Sequence, residues 1–380
     1  MRSIVLRGLS LRRTKSEAMH VLRNTRPFSL AVLAVLAVLA FFLVGCGRSP
    51  AAKDDAGASS HAPIVSSEFV ALSPPTVSSH ASTLAQAADG DLVASWFGGT
   101  AEQAPDVVIW VARKHDGRWG EPALVARGGN AAAPLPTWNP VLFQSRNGRL
   151  DLYYKVGPAP ASWWGMRVSS TDGGRTWSAP HALPAGVMGP VKNPIVEVGR
   201  TELVPSSTEA GSWHLQFERS VDGGRSWAVT SLASPGIEAI QPVLYPAEGS
   251  NVFALARTKQ GHVARSDSKD GGATWGPLRL LTWPNPNAGI SGLRLIDGRY
   301  LLVSNPQGTD GSPPLGRGKL TLALSTDGNR WRNVLTLEDD PGHEYSYPYV
   351  IQTRDHMIHV TYTWRREKIR HVVINPAALN

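Results

Sequence analysis

Residues 170–177 read Ser-Thr-Asp-Gly-Gly-Arg-Thr-Trp, and this stretch recurs along the chain. Residues 220–227 and 268–275 are two further full copies, residues 325–331 are a shortened copy, and residues 116–119 are the remnant of a fifth. The closing tryptophans lie at positions 119, 177, 227, 275 and 331, so that they are 58, 50, 48 and 56 residues apart. A period of about fifty residues predicts a repeated supersecondary unit, as in solenoids and propellers.

The residue types of this stretch predict a tight hairpin. An aspartate accepts hydrogen bonds from backbone amides a few residues on and so closes a turn. The glycines adopt positive φ without a Cβ clash, and the tryptophan buries a large ring that fixes the turn to its sheet. The pattern resembles the Asp-box of bacterial neuraminidase repeats. A turn-closing carboxylate is already occupied, so we expect these aspartates to be structural and not catalytic.

The remainder of the chain reads as short strands. Apolar segments such as 92–97, 150–154 and 320–324 are separated by Gly, Pro, Asn and Asp, and no segment shows a sustained helical period. Regular strands with hairpin signals predict an all-β fold, and the repeat makes it a β-propeller with Asp-box hairpins. At about fifty residues per blade the chain supplies about six blades. We expect residues 68–72 to close the last blade.

The amino terminus has the features of a targeting segment. Residues 1–45 contain basic residues followed by an apolar run, 30–44, which is short for a membrane span. The run ends at Cys46, the only cysteine, in a sequence that resembles a bacterial lipobox. We therefore expect Cys46 to be lipidated, residues 46–67 to form a flexible tether, and residues 68–380 to form the propeller. The implied location is the bacterial cell envelope; an ordinary cleaved signal and an uncleaved anchor are the alternatives.

Charge and composition exclude several partners. The formal charge of +8 arises mainly from residues 1–45, and the rest of the chain is nearly balanced, so the sequence does not indicate nucleic-acid binding. His356 and His359 are three residues apart in a strand pattern and point to opposite faces, which argues against a metal site. The sequence indicates no cofactor. The expected partners are a glycan and, through the lipid, a membrane.

Several stretches outside the hairpins resemble the BNR-repeat sialidase-like family. They are residues 80–100, 106–110, 138–143, 154–158, 189–194 and 345–364. The resemblance implies a six-bladed sialidase-like propeller and a glycoside hydrolase that releases a terminal sugar. Sialidases bind the sugar carboxylate with three arginines, whose planar guanidinium groups match it, and use an Asp as acid/base. Their nucleophile is a Tyr activated by a Glu.

The family pattern carries over to this chain in part. Arg257 and Arg317 occupy the positions of the second and third arginines. Tyr345 matches the nucleophile, with Tyr347 as its close rival, and Asp106 matches the acid/base residue.

The chain departs from the pattern at two positions. His80 stands where the first arginine belongs, and a histidine offers at most one charge and no fork. Gln241 stands where the activating Glu belongs, and a glutamine cannot take a proton from tyrosine. Further polar or aromatic residues in apolar or Pro-rich surroundings are candidates for the binding site: Lys155, Lys192, Asn193, Glu209 and Trp163.

These observations predict an exo-acting glycoside hydrolase of the sialidase type for a terminal, acidic sugar. The alternatives are the same propeller acting on a uronic acid or deoxy-sugar terminus, and a carbohydrate-binding propeller without catalysis. A propeller gathers loop positions around its axis. We therefore expect Arg257, Arg317, Asp106 and Tyr345 to meet in one central pocket, with His80 and Gln241 on its wall.

Overall fold

The computed structural model describes residues 62–307 and 316–380. The predicted signal segment, Cys46 and residues 46–61 of the predicted tether lie outside the described residues. The described part forms six antiparallel sheets that follow one another along the chain as the blades of a propeller. The innermost strand of the first blade contacts the innermost strands of both the second and the last blade, so the ring is closed. The predicted all-β, six-bladed propeller is confirmed.

The chain enters through β1 (Ile64–Phe69), which belongs to the last blade. The strands of the first blade follow: β2 (Ser78–Gln86), β3 (Leu92–Gly99), β4 (Val108–His115), β5 (Arg118–Trp119) and β6 (Ala123–Ala126). A separate hairpin consists of β7 (Gly128–Asn130) and β8 (Ala133–Leu135). The second blade contains β9 (Thr137–Gln144), β10 (Leu150–Val156), β11 (Trp164–Ser170) and β12 (His181–Ala182).

The third and fourth blades have the same order, from the innermost strand outwards. The third contains β13 (Val196–Val198), β14 (Thr201–Thr208), β15 (His214–Ser220) and β16 (Ala228–Leu232). The fourth contains β17 (Ala239–Pro246), β18 (Val252–Thr258), β19 (His262–Ser268) and β20 (Arg279–Pro284).

The fifth and sixth blades complete the ring. The fifth contains β21 (Ser291–Arg294), β22 (Tyr300–Ser304), β23 (Lys319–Ser325) and β24 (Arg332–Asp339). The sixth contains β25 (Tyr345–Gln352), β26 (Ile358–Trp364) and β27 (Lys368–Ile374), followed by a 3-10 turn, Pro376–Ala378. Apolar side chains fill the spaces between neighbouring blades, and the described residues include no helix long and apolar enough to cross a bilayer.

The last blade takes its outermost strand from the amino-terminal end of the domain. β1 pairs with β27 in antiparallel fashion, from Ile64 opposite Ile374 to Phe69 opposite Arg370. The prediction that an amino-terminal segment closes the ring is therefore confirmed, although the strand starts four residues before the expected segment 68–72. The last residues of the predicted tether, 64–67, belong to this strand, because their backbone groups pair with the edge of β27.

The Asp-box hairpins have the predicted construction. Asp172 accepts hydrogen bonds from the backbone amides of Arg175 and Thr176 at 3.0 and 2.9 Å, and from the Thr176 hydroxyl at 2.6 Å. Ser170 accepts the amide of Gly174 and donates to Asp172, both at 2.7 Å. Asp222, Asp270 and Asp327 close their own turns with the same kind of contacts. The remnant at 116–119 is instead a plain hairpin turn between β4 and β5.

Strand order gives the disc two different faces. The Asp-boxes connect the third and fourth strands of four blades at one end, which we call the box face. The loops between second and third strands lie at the opposite end, which we call the loop face; their described residues are 100–107, 157–163, 209–213, 259–261, 305–307, 316–318 and 365–367.

Candidate functional site

Four of the six innermost strands contain a β-bulge near the loop face. Ala81, Asn139, Gln241 and Tyr347 have φ values of 53°, 38°, 56° and 51°, a conformation that side chains larger than hydrogen disfavour. Each lies at a register shift between the innermost and the second strand of its blade. A bulge turns its side chain out of the regular alternation, and strained backbone concentrates at functional sites. The four bulges therefore mark the centre of the loop face as the candidate site.

Tyr347 is the tyrosine at this centre. Arg257 Nη1 donates to the Tyr347 hydroxyl oxygen at 2.9 Å. The ring of His80 lies against the Tyr347 ring, with centroids 4.3 Å apart and an interplanar angle of 53°. The Arg317 guanidinium is 6.0 Å and the Lys192 ammonium 5.7 Å from the centre of the same ring. Residues from three other blades and from the segment leading into the third thus converge on one phenol of the sixth blade.

The prediction of Tyr345 as the pocket tyrosine is wrong. Its side chain is 2% exposed and packs in the core between the fifth and sixth blades. Its hydroxyl donates to Asp340 at 3.0 Å and accepts from Arg365 at 3.2 Å. In a regular strand residues 345 and 347 would share a face, but the bulge at Tyr347 separates them. The rival, Tyr347, therefore occupies the expected place.

A third guanidinium reaches the site from the turn between β26 and β27. Arg366 Nε donates to Glu344 at 3.0 Å, and Arg317 Nη1 donates to the other oxygen of Glu344 at 3.1 Å. Arg366 also pairs with Glu102 at 2.5 Å. Burial would raise the pKa of Glu344, but Arg366 and Arg317 hold it below its ordinary value, so it stays ionised. The position expected for an arginine on β2 is filled by His80, and Arg366 supplies a positive charge from the last blade.

The sequence contained only a weak signal for Arg366. It follows Trp364 and Arg365 at a strand end, which is a common place for a basic turn residue. Its location becomes clear only when the ring closes, because its carbonyl oxygen accepts the backbone amide of Ser79 from the first blade at 2.7 Å.

Asp106 does not join these contacts. Its carboxylate accepts hydrogen bonds from the backbone amide and the hydroxyl of Thr100, at 2.9 and 2.5 Å, and so closes the turn of its loop. The exposed Asp106 lines a separate cavity of about 460 Å³ beside Arg127 and the β7–β8 hairpin. No contact with Tyr347 or the arginines is present for Asp106 among the described residues, and its place in the central pocket stays a prediction. Glu102, on the same loop, reaches the arginine cluster instead through Arg366.

Glu209 lies at the side of the pocket formed by the third blade. It is half-buried, and burial raises its pKa, while Arg257 and Lys259 act in the opposite direction. Trp213 of the same loop lies 5.7 Å from the Arg257 guanidinium and 4.5 Å from the Lys259 ammonium. This loop therefore brings a carboxyl group and an aromatic ring close to Arg257, as the prediction for Glu209 required.

Lys192 and Asn193 connect blades across the axis. Lys192 Nζ donates to the carbonyl oxygens of Ile290 at 2.9 Å and Pro348 at 2.7 Å. Asn193 Nδ2 donates to the carbonyl oxygens of Gln241 and Pro242 at 3.2 and 3.1 Å. Burial, and secondly Arg257, hold the pKa of Lys192 well below its ordinary value. These two side chains form the floor of the pocket, with their donors directed to the backbone.

Lys155 and Trp163 lie outside the pocket, so their prediction as binding residues is wrong. Lys155 is fully buried and donates to the Pro190 carbonyl at 2.8 Å, and burial lowers its pKa to about 7. Trp163 is 7% exposed and packs against Trp138 with ring centroids 5.8 Å apart. Both side chains hold the segment around Pro190 and the adjoining loops in place by burial.

Several polar atoms of the site are buried without a hydrogen-bond partner among the described residues. They are Nε2 of His80, Nε of Arg257, Nε of Arg317, Oε1 of Gln241 and Oδ1 of Asn287. Arg257 is the most informative of these residues: it is 6% exposed and no carboxylate of the described chain lies within ion-pair distance. An unpaired buried charge is costly, so such a residue is suited to an anionic ligand.

The fold is that of the sialidase propellers. Solved structures with this fold include the NanB sialidase of Streptococcus pneumoniae, at 14% identity over 84% of this chain and 71% of that chain, with a TM-score of 0.66. The intramolecular trans-sialidase of Ruminococcus gnavus is 15% identical over 83% of this chain and 99% of its own, with a TM-score of 0.64. A protein of unknown function from Dyadobacter fermentans is 17% identical over 82% and 99%, with a TM-score of 0.66.

Residues 90–360 match the family model described as the BNR repeat-like domain. The chain belongs to this family. No curated protein matches the sequence.

Proposed function

We propose that the protein is an exo-acting glycoside hydrolase of the sialidase type that releases a terminal acidic sugar. The observation that carries the proposal is Arg257, a buried guanidinium that has no carboxylate partner in the described chain and is bonded to the hydroxyl of Tyr347. Arg257 and Arg317 would bind the carboxylate of the sugar. The structures of sialidases with the same fold, although distant in sequence, support this class of substrate.

The proposed reaction uses Tyr347 as nucleophile. Its oxygen attacks the anomeric carbon, the bond to the leaving-group oxygen breaks, and the phenol loses its proton to solvent or to a neighbouring base. Arg257 donates to the Tyr347 hydroxyl oxygen at 2.9 Å and holds this oxygen in position for the attack. Glu209, whose pKa is raised by burial, is the candidate that protonates the leaving group. Water then hydrolyses the tyrosyl–sugar bond.

A panel of terminal sugars tests the proposal. The purified protein is incubated with matched glycosides of sialic acids, uronic acids, deoxy-sugars and neutral sugars, and the released sugar is measured. Tyr347→Phe should abolish release and leave binding intact, because only the attacking oxygen is removed. Tyr345→Phe is the matched control and should retain release, since its hydroxyl bonds to Asp340 outside the site. Equal release by wild type and Tyr347→Phe would disprove the nucleophile.

A carbohydrate-binding propeller without catalysis is the second candidate. Gln241 lies where an activating carboxylate is expected. Among the described residues the Tyr347 hydroxyl is hydrogen-bonded to Arg257, which cannot act as a base. This candidate predicts binding of acidic sugars with no release from any glycoside of the panel. Release of a uronic acid or a deoxy-sugar in place of a sialic acid would instead identify the third alternative.

We also propose that Cys46 is lipidated and that the propeller is held at the bacterial envelope. The apolar run before this single cysteine is the supporting observation. Cys46→Ala should leave an unprocessed or mislocalised precursor, measured by fractionation and intact mass. A variant that fractionates with the membrane and matures to the same mass as wild type would contradict lipidation.

A further inference from the structure

His80 occupies an unusual position for a histidine. It is 1% exposed and lies on the first inner strand, between the rings of Tyr347 and Phe97, whose centroids are 4.3 and 5.4 Å away. Its Nδ1 is 2.8 Å from the Thr363 hydroxyl oxygen, which also accepts the backbone amide of Ala81. Its Nε2 is buried and has no partner among the described residues. One ring nitrogen is therefore fixed by the neighbouring blade, and the other is left for a ligand.

The charged groups that act most strongly on His80 are positive, and two of them, Arg366 and Arg317, are paired with Glu344. The four groups are Arg366 in the last blade, Arg317 in the fifth, Lys192 in the segment before the third, and Arg257 in the fourth. The remaining neighbours are the phenol of Tyr347, the hydroxyl of Thr363 and the hydrocarbon ring of Phe97. Each positive charge makes protonation of His80 less favourable, and a nearby anion would make it more favourable.

We propose that His80 takes up a proton when a carboxylate sugar binds, so that the anion and the proton enter the site together. This inference rests on the proposed binding of an acidic sugar at Arg257 and Arg317. In the free site His80 is neutral, since burial, followed by the four cations, lowers its pKa well below the ordinary value. The carboxylate cancels part of that positive field. The imidazolium then forms and donates from Nε2 to the ligand or to its carboxylate.

The consequence is a pH-dependent specificity. Protonated His80 adds to the affinity below the pKa of the complex, and this contribution disappears as the pH rises through that value. Affinity for an acidic sugar should fall by up to about tenfold for each pH unit in that range. Affinity for the methyl ester of the same sugar should not change, because the ester brings no charge. His80 is thus a specificity-determining residue that distinguishes an anionic sugar from its neutral analogue.

Calorimetry measures the proton directly. N-acetylneuraminic acid, D-glucuronic acid and their methyl esters are titrated into the full-length protein in two buffers of different ionisation enthalpy, at pH values from about 5 to 7. We expect uptake of up to about one proton per acid bound and none per ester. His80→Gln should bind the acid more weakly and without uptake. His359→Gln, which replaces another buried histidine near the box face, is the control and should retain the uptake.

A second measurement does not depend on the variant folding. Nuclear magnetic resonance of the wild-type imidazoles should show that His80 stays neutral in the free protein at pH values where exposed histidines are protonated. Arg366→Gln should raise the pKa of His80, because it removes the cation that acts most strongly on the ring. Binding of an acid without proton uptake, or uptake that persists in His80→Gln, overturns this inference and leaves the proposed function in place. Failure of every acidic sugar to bind overturns both the proton uptake by His80 and the proposed function.

Discussion

At the scale of single residues, the proposed binding of an acidic sugar rests on Arg257. Its guanidinium lies between Tyr347 and Trp213, and it forms no ion pair within 4 Å with a carboxylate of the described residues. The guanidinium is held in place before a ligand binds, so binding does not have to immobilise this side chain. This arrangement favours an anion over a neutral molecule of the same shape.

Replacement of Arg257 should separate acidic from neutral ligands. A charge-assisted hydrogen bond contributes about 1.5–3 kcal/mol, so Arg257→Ala should weaken binding of an acidic sugar by roughly ten- to a hundredfold. Binding of the corresponding neutral sugar should change little. Arg225→Ala, at an exposed Asp-box arginine, is the control and should alter neither affinity. Equal losses for acid and neutral sugar, measured by calorimetry, would show that Arg257 supports the fold and not the ligand.

The residues of the site differ in how far the sequence could predict them. Arg257 and Arg317 were predicted because each lies shortly before an Asp-box, where the family resemblance expects the second and third arginines. The sequence did not separate Tyr345 from Tyr347, because a β-bulge between them cannot be recognised from alternating residue types alone. Three of the four bulges do have a sequence sign, a following proline at positions 140, 242 and 348. Arg366 had only a weak sign, its position at a strand end, since its place depends on the meeting of the first and last blades.

At the scale of elements, the Asp-box is a turn whose hydrogen bonds are made by one carboxylate. The three full copies repeat the same contacts to within about 0.2 Å, and the tryptophan that ends each copy packs into the core beside its blade. The sequence predicted the turns of these hairpins, because every hydrogen bond that closes such a turn lies within eight residues.

Removal of the box carboxylate should lower stability without an effect on chemistry. Asp172→Ala leaves two backbone amides and a hydroxyl without their acceptor, and we expect a loss of about 1–3 kcal/mol in the free energy of unfolding. Asp116→Asn, in a turn whose side chain is 90% exposed, should have little effect. Denaturant unfolding measures both. A large loss of sugar release from Asp172→Ala at unchanged stability would contradict the structural role.

The same carboxylates should make the fold sensitive to acid. Hydrogen bonds from Thr274, from its hydroxyl and its amide, lower the pKa of Asp270 from 3.8 to about 2. In the window between these values the unfolded chain binds more protons than the folded one, so stability rises with pH. The contribution is complete above pH about 4 and is lost as the pH falls towards 2. Asp270→Asn should flatten this part of the curve of unfolding free energy against pH; an unchanged slope would contradict the assignment.

At the scale of the whole molecule, the last blade is completed by five residue pairs between β1 and β27. The sequence predicted the number of blades, because the repeat gives the length of one blade. It also predicted that an amino-terminal segment joins the last blade, because the first and last blades of a propeller must meet. It did not predict the exact strand, since Ser66 and Ser67 resemble the Ser-rich segment before them and Ile64–Val65 is too short an apolar pair to mark a strand.

Loss of β1 should weaken the entire propeller. A chain that begins at residue 71 lacks the strand and exposes the edge of β27, whereas a chain that begins at residue 62 retains it. Five cross-strand pairs at about 0.2–1 kcal/mol each predict a loss of about 1–5 kcal/mol in unfolding free energy, together with aggregation through the free edge. Calorimetric melting and light scattering compare the two chains. Identical melting would mean that the outer strand of the last blade is dispensable.

The direction in which β1 enters has a consequence for where an anchor would attach to the disc. Ile64 pairs with Ile374 at the box face, and the Pro63 carbonyl there accepts the amide of Asn375 at 2.9 Å. The polypeptide thus meets the disc on the side opposite to the arginines. If the preceding residues are fastened to a lipid surface, their point of attachment on the disc is the box face, and the loop face with the arginines carries no attachment.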